Sequence, residues 1–229
     1  MATDRFSKSE AIKFGWNTIK ANFGFFVGIT IIALAVEFSD FLVWDPLHII
    51  HKADTPSLFN PLYYIWLFVI LPVIHSVVNP GLIKISLKFC DNQKAKFSEF
   101  FSALHLFFKY LAGTFLYQLI VLGGTLLLIV PGIIWAIKFQ YYGYFIVDKE
   151  LGPIKALEAS SELTEGVKWD LFLFGLLLFC IDLLGLLCLV VGLFAAVPTI
   201  MIAHAFVYRK LESQLEINQT SIRDIARAG

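Results

Sequence analysis

The sequence predicts an all-α polytopic membrane bundle: six transmembrane helices folded as three hairpins, each introduced by a short amphipathic helix on the cytoplasmic side. Three observations predict it. The 229 residues are 58% hydrophobic and only 16% charged, with a mean hydropathy of +0.76. Soluble domains run at roughly 45–50% apolar and about 25% charged, so this surplus has to face lipid or be hidden. The apolar residues also fall into runs long enough to cross a hydrocarbon core of about 30 Å, which takes about 20 helical residues. Finally, one polar-then-apolar pattern occurs three times.

In chain order, the expected spans are 23–43, 62–86, 104–122, 125–147, 169–186 and 189–208, followed by a cytoplasmic tail at 209–229. About twenty polar or amphipathic residues precede the first run and no A-x-A site follows it, so that helix is expected to be retained. The loop 44–61 between the first two spans holds three prolines and reads WDPLHIIHKADTPSLFNP. Spans three and four share one long apolar run, with a tight turn expected at Gly123-Gly124 and Pro131-Gly132 inside the fourth helix. Spans five and six share another, with a turn between Gly185 and Gly192. Leu211, Leu215, Ile222 and Ile225 give the tail helical spacing and suggest a surface helix.

Basic residues set the orientation. Arg5, Lys8, Lys13 and Lys20 precede the first span. Lys84, Lys88, Lys94, Lys96 and Lys109 lie around the second connection, Lys149, Lys155 and Lys168 at the fourth. Arg209, Lys210, Arg223 and Arg227 follow the sixth, and Lys52 stands alone on the other face. This bias puts both termini in the cytoplasm. Trp44, Tyr63, Tyr64 and Trp66 then form an outer aromatic belt.

The repeat begins at SKSEAIKFGWNTIKANFG, where Ser7 and Glu10 suggest a capping box and Ile12, Trp16, Ile19 and Phe23 form one stripe. The second copy, FSEFFSALHLFFKYLAG, has Phe97, Phe101, Leu104 and Phe108. The third, PIKALEASSELTEGVKW, opens with Pro153 at a first helical turn. Each pairs a Glu with a Lys at constant spacing (Glu10 and Lys20, Glu99 and Lys109, Glu158 and Lys168). Each is followed in its second helix by a proline, Pro80, Pro131 or Pro198, expected as a helix kink. A stripe of aromatic and aliphatic residues beside Lys suits an interfacial helix; it suits equally an elbow packed under the bundle.

The segment PGIIWAIKFQYYGYFIVDKELGPIKALEASSELTEGVKWDLF, with its Pro-Gly-Ile-Ile, the aromatic run to Asp148, Ala156-x-x-x-Ser160 and Gly166-x-x-Lys-Trp169, resembles a bacterial family of integral membrane proteins of unknown function. It is also similar to the membrane domain of some glycerophosphodiester phosphodiesterases. The opening EAIKFGWNTIKANFG and the late AFVYRKL fit as well. The resemblance implies six helices in the bacterial inner membrane and no catalytic residues.

Ionisable groups within spans are costly and are functional candidates. Glu37, Asp40, His75, Lys138, Asp182 and His204 qualify. They are interfacial or mutually paired groups that fix helix register, or they form a polar path or headgroup site between hairpins, lined by carbonyls that prolines free. His48 and His51, with Asp45 and Asp54, have metal-ligand residue types, but in an outer loop that fixes no geometry. Gly24-x-x-x-Gly28 permits close helix approach. Cys90, Cys180 and Cys188 are odd in number and spaced for no metal; they read as small hydrophobes.

No phosphate loop, G-x-G-x-x-G, H-E-x-x-H or nucleophile elbow is present, so no enzyme, cofactor or metal is expected. Net charge is zero, which argues against nucleic acid. The expected partners are membrane lipids, and proteins bound through the amphipathic segments. The expected role is an inner-membrane scaffold, anchor or lipid handler; the alternative is a small-solute or lipid transporter or channel using the intramembrane charges.

Overall fold

The computed structural model describes residues 6–37, 65, 69–188 and 192–228. Among these the chain is helical, without strands. The first unit comprises α1 (Lys8–Ala21), α2 (Phe23–Glu37) and α3 (Leu71–Cys90). The second comprises α4 (Phe97–Ser102), a 3-10 turn (Leu104–Leu106), α5 (Phe107–Leu127), α6 (Ile129–Phe139) and α7 (Tyr142–Asp148). The third comprises α8 (Pro153–Leu163), α9 (Lys168–Leu187) and α10 (Leu193–Ala228). The loop 44–61 with its two histidines, and the aromatic belt of Trp44, Tyr63, Tyr64 and Trp66, lie outside the described residues.

Among the described residues two stretches, Phe97–Leu127 and Lys168–Leu187, are long and apolar enough to cross a membrane; the α1–α2 pair makes a third if its 109° bend joins one span. The other expected spans differ for identifiable reasons. The α3 helix carries His75, Asn79, Lys84 and Lys88 within its 20 residues. The fourth expected span is broken into α6 and α7 at Gln140 and Tyr141. The apolar part of α10 gives way to Arg209 and Lys210, and the helix then runs on to Ala228. The tail is therefore the continuation of α10 rather than a separate surface helix.

The amphipathic segments divide their apolar residues between the bundle and the outside. In α1, Ser7 caps the helix by accepting the Glu10 N–H, and α1 meets α2 at Asn22. The face against the bundle is Ala11, Gly15 and Ile19, while Trp16 and Phe23 of the expected stripe face outward. A Cβ on Gly15 would lie 2.7 Å from the Thr199 carbonyl oxygen, so α1 crosses α10 at backbone contact. In the second unit Phe100, Ala103 and Leu106 are buried, while Phe101 (65% exposed) and Phe108 (80%) point away. Large apolar side chains thus lie on both faces of these segments.

The second hairpin closes later than expected. Helix α5 runs through Gly123-Gly124 to Leu127, and the chain reverses at extended Leu128 (φ −164°, ψ 147°). Pro131 consequently lies in the first turn of α6, where its missing N–H breaks no helical bond, and it is not the kink expected there. Pro80 and Pro198 do lie inside helices, α3 and α10. Gly124 serves the helix contact instead: a Cβ on it would stand 3.0 Å from Gly132 Cα, and one on Gly132 would stand 2.9 Å from Thr125 Cα. Gly185 and Gly192 meet likewise, with a Cβ on Gly192 falling 2.8 Å from Gly185 Cα. Gly28 of the Gly24–Gly28 pair packs on the Phe97 ring, whereas Gly24 has open space around it.

The core gathers on α10. Tyr141, Phe145, Ile146, Phe174, Ala203, Val207 and Tyr208 form its larger part, and Phe26, Ile85, Phe89, Phe100 and Ile202 its smaller. The break between α6 and α7 is held by α8. Buried Ser160 accepts the Tyr141 N–H (3.0 Å) and donates to the Lys138 carbonyl (3.1 Å), which Thr164 Oγ1 also bonds (3.0 Å). These hydroxyls satisfy backbone groups that the interrupted helix leaves without partners.

Candidate functional site

The four candidate charges whose side chains are described, His75, Lys138, Asp182 and His204, do not assemble. Among the described residues no hydrogen bond or ion pair joins any two of His75, Lys138, Asp182 and His204, and no group of His, Cys, Asp and Glu could hold a metal. His75 Nδ1 bonds the Asn79 amide one turn along its own helix (3.2 Å). The Lys138 ammonium lies 5.2 Å from the Phe139 ring centre. His204 sits edge-on between Tyr141 and Phe174, with ring centres 6.4 and 5.5 Å away. Asp182 lines a groove of about 440 Å³ with Leu34, Phe179, Leu193 and Val197 between α2, α9 and α10. Asp40 and the Glu37 side chain lie outside the described residues.

What the fold assembles is a cluster at the ends of α3, α7 and the apolar part of α10. Asp91 caps α3 and Asp148 ends α7. Arg209 stands at the corresponding point of α10, following Pro198 by the interval at which Asp91 follows Pro80. All five of its N–H donors are used. Nε and Nη2 take the two Asp91 oxygens (3.0 and 2.8 Å). Nη1 and Nη2 take the two Asp148 oxygens (2.8 and 2.9 Å). The remaining Nη1 hydrogen goes to Glu212 (2.9 Å). Such paired fork contacts are the strongest geometry available to a guanidinium. Burial works against the Arg209 charge, but the bonds to Asp148, Asp91 and Glu212 outweigh it and hold its pKa above the ordinary value.

A second tier supports the first. Tyr208 donates its hydroxyl to Asp148 (3.1 Å). The Lys149 ammonium contacts Glu212 (2.7 Å) and Glu216 (3.3 Å). The Glu212 bond raises the Lys149 pKa against the opposing effect of burial. Across the same face, Lys8 bonds Asp170 (2.8 Å), Lys88 pairs with Glu99, and Lys109 donates to the Glu150 carbonyl (2.8 Å). The repeated Glu and Lys of the second unit thus bond other partners rather than each other.

Counting charges for orientation passes over this cluster. The sequence signal is that Arg209 follows Pro198 by the interval at which Asp91 follows Pro80, so two corresponding positions carry opposite signs. Every N–H of the Arg209 guanidinium is spent on these carboxylates, so the cluster ties the ends of α3 and α7 to α10.

The described chain is thus an all-helical protein with some helices long and apolar enough to span a membrane, locked at one end by charge pairs. A family of proteins of unknown function (DUF975) matches it over residues 124–215, which include Ser160 and Arg209. An uncharacterized protein of Mycobacterium bovis and one of Mycobacterium tuberculosis are each 29% identical to it over 148 residues, 65% of this chain and 44% of theirs. The likeness is to a bacterial family of unknown function. The chain spans less than half the length of these curated relatives. No solved structure matches.

Proposed function

We propose that the protein is a non-enzymatic multi-pass protein of the bacterial inner membrane that scaffolds or anchors partners and holds lipid, with six spans as three hairpins and both termini cytoplasmic. The observation that carries this reading is the contrast in pairing. Among the described residues His75, Lys138, Asp182 and His204 stand apart from one another, which disfavours a continuous path for a solute, while Arg209 ties Asp91, Asp148 and Glu212 together. Five clustered basic groups around the second connection fit the cytoplasmic side. The likeness to the membrane domain carried by some glycerophosphodiester phosphodiesterases suits an anchoring role, and the outward Trp16, Phe101 and Phe108 suit amphipathic segments that meet lipid or protein partners.

Two measurements test this. A maleimide probe that cannot cross the membrane should label a cysteine at Thr55 in intact cells and miss one at Lys155; the reverse pattern overturns the topology. Lys138→Met and Asp182→Asn should fold and leave any partner or lipid association unchanged. A transporter would instead lose flux in these variants while still folding, and that result would replace the scaffold with the path.

A further inference from the structure

A second groove, of about 420 Å³, lies where α1 bends into α2, facing the turn that follows α3. Its floor is apolar, from Phe14 and Phe89. Phe89 is itself fixed, its ring centre 4.9 Å from that of Phe26. Its rim is polar. Asn17 comes from α1; Asn92, Gln93 and Lys94 come from the turn. Thr18 and Asn22 also line it, but the Thr18 hydroxyl and the Asn22 amide are spent on backbone carbonyls of α1. The side chains of Asn17, Asn92, Gln93 and Lys94 make no hydrogen bond among the described residues.

The backbone builds this rim deliberately. After α3 the Asn92 N–H bonds the Phe89 carbonyl (3.2 Å) and the Gln93 N–H bonds the Lys88 carbonyl (2.8 Å). Asn92 is left-handed (φ 55°). This is the Schellman arrangement, with Asn where glycine is commoner. Glycine would relieve the backbone but remove an amide from the rim. No carboxylate lines the groove, and that of neighbouring Asp91 is held by Arg209.

Depth supplies the ligand. α1 carries Lys20 over Trp16 (5.6 Å) and turns through 109° into the apolar α2. That bend is where an interfacial helix becomes a span, so on the inner-membrane reading above the groove sits among lipid headgroups. One ammonium and several amides without a carboxylate suit a phosphodiester. The ammonium of a zwitterionic headgroup would find no partner there.

We propose that this groove binds the phosphodiester of an anionic phospholipid, with Lys94 as the charged contact and Asn17, Asn92 and Gln93 as hydrogen-bonding contacts. The test is native mass spectrometry of the full chain in detergent, titrated with phosphatidylglycerol or phosphatidylethanolamine, and a melting-shift titration with glycerol 3-phosphate. Phosphatidylglycerol should bind in preference to phosphatidylethanolamine. Lys94→Gln should weaken it by about tenfold, the loss of one charge-assisted bond. Asn17→Leu and Gln93→Leu, on exposed positions, should weaken it too, while Lys155→Gln should not. Stabilisation by glycerol 3-phosphate that Lys94→Gln abolishes would keep the site and assign it to a soluble phosphate. Equal retention of both lipids, or unchanged binding in Lys94→Gln and Gln93→Leu, overturns the proposal. Labelling at Thr55 and Lys155 reads the membrane reading separately, so either can fail alone.

Discussion

Replacing Arg209 with Met leaves Asp91, Asp148 and Glu212 facing one another without their common cation. Breaking a buried charge pair costs about 3–5 kcal/mol, and an exposed one about 0–1. The side chains here lie between these limits: Glu212 is 9% exposed, Asp148 14%, Arg209 27% and Asp91 38%. A loss of about 2–3 kcal/mol follows. For a chain of this size that is a fall of about 5–10 °C in melting temperature. Arg209→Lys keeps the charge but not the fork, so it cannot span both aspartates bidentately and should recover less than half of the loss. The assay is thermal unfolding of the detergent-solubilised protein, followed by the fraction remaining monodisperse. A melt for Arg209→Met within about 1 °C of the parent would refute the view that this cluster locks the ends of α3 and α7 to α10.

Other predictions use the same melt. Ser160→Ala removes the acceptor of the buried Tyr141 N–H and should cost about 1–3 kcal/mol; a neutral result would mean that another group takes over that N–H. Gly132→Ala puts a methyl against the Thr125 backbone, which cannot yield as a side-chain tip can, and should cost about 1–3 kcal/mol, whereas Gly24→Ala should be tolerated. Lys149 has a raised pKa in the folded state, so its contribution is complete below the unfolded value of 10.5 and disappears as pH rises through the folded value. The melting difference between the parent and Lys149→Gln should therefore hold below pH 10.5 and shrink as pH rises above it; a constant difference would assign the effect to packing rather than charge.

The sequence alone marked the chain as helical, with stretches long and apolar enough to cross a membrane, where backbone groups must be bonded within their own segment. It also marked the three amphipathic segments and, through Gly185 and Gly192, the place of the last reversal, since local spacing and composition carry that information. It marked Ser160 without its role, which requires α8 to lie across the break in the preceding helix. Tertiary structure alone decided which way the amphipathic segments face. Periodicity shows that Ile12, Trp16, Ile19 and Phe23 share a stripe, but not what covers it, and close packing buried Ile19 with Ala11 and Gly15 while leaving Trp16 and Phe23 exposed. Tertiary structure also decided which charges matter. Asp91, Asp148 and Arg209 are separated by long stretches of chain and look like ordinary surface charges until two helix ends converge on the middle of α10. Charge pairing depends on distances of a few ångströms, and these come from packing rather than from spacing along the chain.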